Sequence, residues 1–207
     1  MRIREKSTRI YFVRHGETDY PTDRIYCDDR EDPALNTSGQ IQASAAAEYF
    51  RGMDIDAVYA SPAQRTMMTA HEVSRVVGKD ILPLEQLRER RFGIWEGLYF
   101  TEIKEKYPEQ HNEWKSNLSE YTPQGGETLE DMERRLQDVV EMIRGRHAEK
   151  VVVVVTHTGA IRSLVTTAFN IPKDQFRQIK IDYASITTID YGESKNNLIN
   201  LNIVRYT

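Results

Sequence analysis

Two histidines stand in similar local settings: His15 in Val13-Arg14-His15-Gly16-Glu17-Thr18, and His157 in Thr156-His157-Thr158-Gly159. Neutral imidazole is a competent nucleophile near its ordinary pKa of about 6.5, so His15 could attack phosphorus without an adjacent base. Guanidinium groups grip a phosphate monoester bidentately and keep their charge at any relevant pH, which makes Arg14 and Arg65 the candidates for holding the anion. His157, protonated, would share the charge developing on the equatorial oxygens, with help from N–H groups at the start of the following helix. Glu89 is the carboxylate suited to protonate a leaving oxygen and then activate water, with a pKa that a bound anion would raise.

These residues act together only if the chain delivers them to one place. Thr8 to Val13 mixes β-branched, aromatic and apolar residues and reads as a buried strand ending at Arg14. Asn36 to Gln40 supplies capping residues, with Thr37 and Gln40 spaced as a capping box for a helix running to about Gly52. Ala57 to Ala60 is a short strand. Ser61-Pro62 then reads as a cap and first-turn proline for a helix that carries Arg65 and stops at Gly78. Ile81 to Leu84 is a third strand, with Glu89 beyond it.

Phe92 to Tyr121 holds both tryptophans and charged helical pieces and reads as a lid-like insertion. From Glu127, Leu129, Met132, Leu136, Val139, Val140 and Ile143 recur at helical spacing up to about Gly145. Val151 to Val155 is apolar throughout, as a central parallel strand covered on both faces should be. Ser185 to Asp190 and Leu198 to Val204 make a closing hairpin with a longish loop. The alternation predicts a three-layer α/β/α fold around a mostly parallel sheet with a small helical lid insertion. Ligands of such sheets bind beyond the carboxyl ends of the strands, where Arg14, His15, Arg65, Glu89 and His157 all fall. Neighbouring strand residues face opposite sides, so Arg14 and His15 share a pocket only if the backbone bends, and Gly16 permits the bend.

At 207 residues, 39% hydrophobic and 29% charged, the chain suits one globular core. Its longest apolar run falls far short of the roughly 20 residues of a membrane span, and no secretory signal pattern opens it, so a cytoplasmic location and no membrane partner are expected. A net charge of −4 gives no general attraction to nucleic acid, so an anionic substrate must meet a local basic cluster. Cys27 is the only cysteine, which rules out an intrachain disulfide and a cysteine-built zinc site. His15-Gly16-Glu17 superficially fits a zinc deaminase motif, but the required Pro-Cys-x-x-Cys partner is absent, as are His-Glu-x-x-His and a P-loop.

Arg14-His15-Gly16-Glu17-Thr18, Ser61-Pro62-Ala63-Gln64-Arg65, Glu89 to Gly97, Gly126-Glu127-Thr128 and Thr156 to Gly159 occur in an order that resembles the histidine phosphatase superfamily, the phosphoglycerate mutase-like proteins. The wording Phe92 to Gly97 looks like the broad-specificity and α-ribazole phosphatase branch. The resemblance implies a single domain over residues 1–207 with the lid at about 92–124 and a phosphohistidine on His15. It further implies a phosphate pocket from Arg14, Arg65 and His157, acid/base chemistry at Glu89, and neither metal nor other cofactor. Three departures stand out. Pro21 occupies a place where relatives usually have asparagine, Tyr26-Cys27 replaces a glutamine-glycine pair ahead of the charged run Asp28 to Asp32, and Thr158 stands where glycine is common.

Hydrolysis of small phosphorylated metabolites is the expected activity. A cofactor-dependent phosphoglycerate mutase is the first alternative, disfavoured because Leu98 to Gln124 contains no arginine for a sugar-acid carboxylate. A catalytically inactive phosphate-binding protein is the second, which the change at Pro21 keeps open. His71, His111 and His147 are expected at the surface, Asp28 to Asp32 in a solvated loop, and Trp95, Tyr99 and Phe100 in packing of the insertion. Glu17 is placed equally between a second site carboxylate and a turn-stabilising role, and Arg88, Arg90 and Arg91 stay unassigned. The physiological substrate and the oligomeric state are left open by the sequence.

Overall fold

A computed structural model describes residues 6–27, 30–117 and 121–205. Strand β1 (Ser7–Arg14) lies mid-sheet, parallel to β4 (Val151–Thr156) on one side and antiparallel to β5 (Ile186–Gly192) on the other. Beyond β4 come β2 (Ala57–Ala60) and β3 (Ile81–Pro83), both parallel; beyond β5 comes β6 (Asn196–Ile203), antiparallel. The order β3-β2-β4-β1-β5-β6 is therefore parallel except at the edge made by the hairpin, whose strands are joined by three residues rather than by a long loop.

Alternation along the two central strands divides the core. Ile10, Phe12, Val152 and Val154 face helices α5 (Leu129–Arg146) and α6 (Thr158–Ala168), where they meet Met132, Leu136, Ile161 and Leu164. Tyr11, Val13, Val153 and Val155 face α1 (Thr37–Glu48) and α2 (Gln64–Val77), meeting Ala46, Ala47, Ala70 and Val73. This period of two on strands buried on both sides produces the three layers. Among the described residues no helix is long and apolar enough to cross a membrane.

Several boundaries differ from the sequence reading. Helix α1 is capped by Asn36, extended and accepting from the Gly39 N–H at 2.8 Å, instead of by a Thr37–Gln40 box, and it ends at Glu48 instead of Gly52. Helix α2 starts at Gln64, past Ser61-Pro62; the Ser61 hydroxyl is engaged elsewhere, and the carboxylate of Asp32 accepts the Gln64 N–H instead.

The insertion contains α3 (Phe100–Lys106) and α4 (Pro108–Ser116). Its Trp95, Ile103 and Trp114 form a small core together with Ile25 from the segment after β1, with the two indole rings edge to face at 5.6 Å. Trp95 is fully buried, so it packs the insertion as expected. Tyr99 is exposed, while Phe100 reaches the cavity described next.

Candidate active site

His15 leaves β1 with its N–H still bonded to the Thr156 carbonyl at 3.1 Å, so it stays in register with β4 while its ring turns into a cavity of about 460 Å³ at the carboxyl edge of the sheet. Its Nδ1 lies 2.8 Å from the Gly16 carbonyl oxygen. A carbonyl only accepts, so Nδ1 carries the proton and Nε2 keeps its lone pair. Burial, reinforced by the positive charge of Arg65 and Arg14, holds the pKa of His15 well below its ordinary value. Burial and both guanidinium charges favour the neutral imidazole.

Gly16 is needed for closeness rather than for a bend. A β-carbon there would run into the Gly39 carbonyl oxygen, which fixes the turn after β1 against the start of α1. Glu17 belongs to this same joint: its Oε1 accepts from Asn36 Nδ2 at 2.9 Å, and it lies outside the cavity, which makes it a turn-stabilising residue.

Opposite His15, with ring centroids 5.3 Å apart, His157 caps α6. Arg65 Nη2 approaches its Nδ1 at 3.1 Å, and its Nε2 lies 2.8 Å from Ser61 Oγ. Guanidinium can only donate, so His157 accepts at Nδ1 and carries its proton on Nε2, toward Ser61. Burial, then Arg65 and His15, lowers its pKa well below the usual range. The arginine proposed to share the phosphate thus disfavours a second proton on His157.

Both phosphate-candidate arginines rest on aromatic rings. Arg65 is fully buried, its guanidinium 4.1 Å from the centroid of Tyr26, which stacks on Tyr20 at 4.5 Å. Arg14 lies 3.8 Å over Tyr183 and donates from Nη1 to the Ile181 carbonyl at 2.8 Å, while its buried Nε meets no acceptor among the described residues. A ring face orients a cation without itself taking up an N–H group. Tyr26, Tyr183 and Ser61 escape the sequence reading because each contact joins distant parts of the chain.

Glu89 enters from the segment after β3. Its Oε1 accepts the Arg90 N–H and its Oε2 the Gly159 N–H, both at 2.9 Å. The start of α6 therefore serves the carboxylate, whereas the sequence reading aimed these N–H groups at the phosphoryl oxygens.

The run after Cys27 is no simple solvated loop. Arg30 donates to the Glu96 carbonyl at 2.9 Å, Glu31 pairs with Arg24 in two contacts of 2.7 Å, and Asp32 sits 3.6 Å from Arg65; Asp28 and Asp29 lie outside the described residues. Pro21 and Thr22 line the cavity. Of the remaining histidines, His71 is exposed as expected, but His111 and His147 are half-buried: His111 borders Trp114, and His147 lies 3.0 Å from the Tyr59 hydroxyl. Arg88 pairs with Glu85 and Arg91 is exposed, while Arg90 is buried at the cavity wall. Among the described residues no three His, Cys, Asp or Glu side chains gather in a way that could hold a metal ion.

A neutral imidazole flanked by two stacked guanidinium groups, with a carboxylate fixed beside them, defines a phosphoryl-transfer type of site. The chain belongs to the histidine phosphatase superfamily, branch 1, whose sequence profile matches residues 10–204. Phosphoserine phosphatase 1 of Hydrogenobacter thermophilus is 31% identical over 196 residues, which cover 94% of this chain and 92% of that protein. A bifunctional protein of Mycobacterium tuberculosis is 35% identical over 197 residues, covering 93% of this chain and 54% of its own length. Among solved structures, mycobacterial glucosyl-3-phosphoglycerate phosphatase in complex with VO3 superposes with a TM-score of 0.82 at 27% identity, covering 94% of this chain and 98% of that one.

Proposed function

We propose that the chain hydrolyses small phosphorylated metabolites of the cytoplasm in two steps through a phosphohistidine on His15. One observation carries this reading: the contact from Nδ1 to the Gly16 carbonyl leaves Nε2 as the free nucleophilic nitrogen between Arg14 and Arg65. In the first step Nε2 bonds to phosphorus, the bond to the leaving oxygen breaks, and Glu89 gives that oxygen its proton. In the second step water bonds to phosphorus as the N–P bond breaks, and its proton returns to Glu89. The Gly16 carbonyl accepts the Nδ1–H throughout, which favours the positive charge the ring acquires on phosphorylation.

Similarity to a protein named phosphoserine phosphatase supports water as the acceptor over a second metabolite. The argument from the arginine-free insertion supports it less, because Arg90, Arg162 and Arg177 line the cavity from outside that segment.

The test is turnover of an aryl phosphate by purified protein with and without a chelator. Hydrolysis that survives chelation and vanishes in His15→Ala is the expected result. Phosphate binding without hydrolysis would favour a binding protein, and phosphoglycerate interconversion faster than hydrolysis would favour a mutase.

A further inference from the structure

His157 is fully buried, and each nitrogen of its ring meets a side chain, Arg65 Nη2 at Nδ1 and Ser61 Oγ at Nε2. Ser61, equally buried, stands in the turn between β2 and α2 and lies outside the lining of the cavity. Its backbone is tied on both sides: the N–H donates to the Val155 carbonyl at 3.0 Å, and the carbonyl accepts from Thr66 Oγ1 at 2.7 Å. The Ala63 N–H reaches its hydroxyl only at 3.5 Å, against 2.8 Å for the contact with His157. A fixed support thus turns one hydroxyl toward one ring nitrogen.

Neutral His157 needs an acceptor for a single N–H, the one on Nε2. A phosphate in the grip changes that requirement. It draws on Arg65, and its oxygens at Nδ1 only accept, so a contact there needs a proton on Nδ1 as well. The imidazolium then carries two N–H groups, and in a buried place each must find an acceptor. The phosphoryl group supplies one and Ser61 Oγ the other. The charged and titratable groups around the ring are Arg65 from α2, His15 and Arg14 from the end of β1, and Arg135 from α5, with Glu89 across the cavity. Only Glu89 is an anion, and its oxygens already accept from the Arg90 and Gly159 N–H groups.

We infer that Ser61 is a positioning residue for phosphoryl transfer. By accepting from Nε2 it fixes the ring plane and tautomer of His157, and it lets Nδ1 take a second proton from water and present it to the phosphoryl oxygens. The assignment rests on the phosphatase reading above and adds to it a residue that acts through His157 alone.

The experiment compares wild type, Ser61→Ala and Ser61→Thr on one alkyl phosphate across pH, with a melting curve for each. Ser61→Ala removes a single oxygen and is expected to stay folded while losing about tenfold or more in kcat. A hydrogen bond accepted from the charged form raises the pKa of bound His157, so its loss moves the basic limb of the kcat profile to lower pH. Ser61→Thr keeps the hydroxyl and should hold that limb at its wild-type position, whatever it loses in rate. A loss in Ser61→Ala that is equal at every pH, or a limb displaced as far in Ser61→Thr as in Ser61→Ala, would overturn the assignment. Nitrogen NMR of isotope-labelled histidine, with inorganic phosphate bound near pH 7, reads the same point without turnover. His157 should carry protons on both nitrogens in wild type and on one in Ser61→Ala; the same state in both proteins would overturn it too. If wild type hydrolyses no ester, the phosphatase reading fails by itself and these spectra still decide the role of Ser61.

Discussion

The carboxylate of Glu89 lies so close to the backbone of Gly159 that a β-carbon at that position would collide with it, and the Gly159 N–H donates to its Oε2 at 2.9 Å. The proposed acid/base group is thus set by the first turn of α6, the helix that also carries His157 as its cap and Arg162 one turn on. Because φ at Gly159 is ordinary, alanine there costs nothing in backbone strain and acts only by displacing the carboxylate. Gly159→Ala is expected to stay folded and to lose about 100-fold in kcat on alkyl phosphates, where the leaving oxygen needs a proton. The loss should be much smaller on p-nitrophenyl phosphate, whose leaving group departs unaided. Measuring both, with a melting curve, checks the assignment; equal losses would show that Gly159 supports the phosphate grip instead.

The pH dependence of kcat/KM follows from the neutral state of His15. Its pKa is held well below its ordinary value by burial and by Arg65 and Arg14, which disfavours protonation of the proposed nucleophile as the pH falls. The acid limb then belongs to the substrate, whose second phosphate pKa is about 6. Across esters of different acidity that limb should move with the substrate. A limb fixed near 6.5 for every ester would mean a solvated, ordinarily titrating histidine.

Much of the fold is legible because it depends on local pattern. Alternating apolar residues on Ile10 to Val13 and Val152 to Val155 report the two covered faces directly, and the five chemistry-bearing residues fall at strand ends where the topology of a parallel sheet must gather them. What the sequence conceals depends on pairs distant along the chain. Ser61 looks like a helix cap until His157, 96 positions away, claims its hydroxyl. Tyr26 and Tyr183 look like ordinary aromatic residues until Arg65 and Arg14 settle on their faces. The protonation state of His157 cannot be read from its own neighbours, since it is set by burial and by a guanidinium from α2.

That neutral His157 has a consequence for ligand binding. A phosphate dianion drawing Arg65 Nη2 away from Nδ1 would remove a cation from the ring and supply an anion, and both changes raise the histidine's pKa. Binding is therefore expected to take up a fraction of a proton near pH 7. Titration calorimetry with inorganic phosphate in two buffers of different ionisation enthalpy measures this uptake. It should disappear in His157→Gln while some affinity remains, and an uptake unchanged in that variant would place the proton on phosphate alone.

Asp32 offers the sharpest separation between holding a residue and opposing a ligand. Its carboxylate accepts the Gln64 N–H with both oxygens, at 2.9 and 2.8 Å, and so caps α2 from outside the helix; it also lies 3.6 Å from Arg65 Nη1. Asp32→Ala should destabilise the fold by about 1 kcal/mol through the uncapped helix start. Asp32→Asn keeps an acceptor there and should hold stability to within a few tenths of a kcal/mol. The charge is a different matter, because Arg65 remains held by Tyr26 and His157 without it. Removing an anion that shares Arg65 with the substrate should then tighten phosphate binding about two- to fivefold, a modest gain because Asp32 is partly exposed and screened. Inorganic phosphate inhibition constants for wild type and Asp32→Asn measure this directly. Weaker inhibition in the variant would mean that Asp32 orients Arg65, and that the acidic residue is part of the grip instead of its competitor.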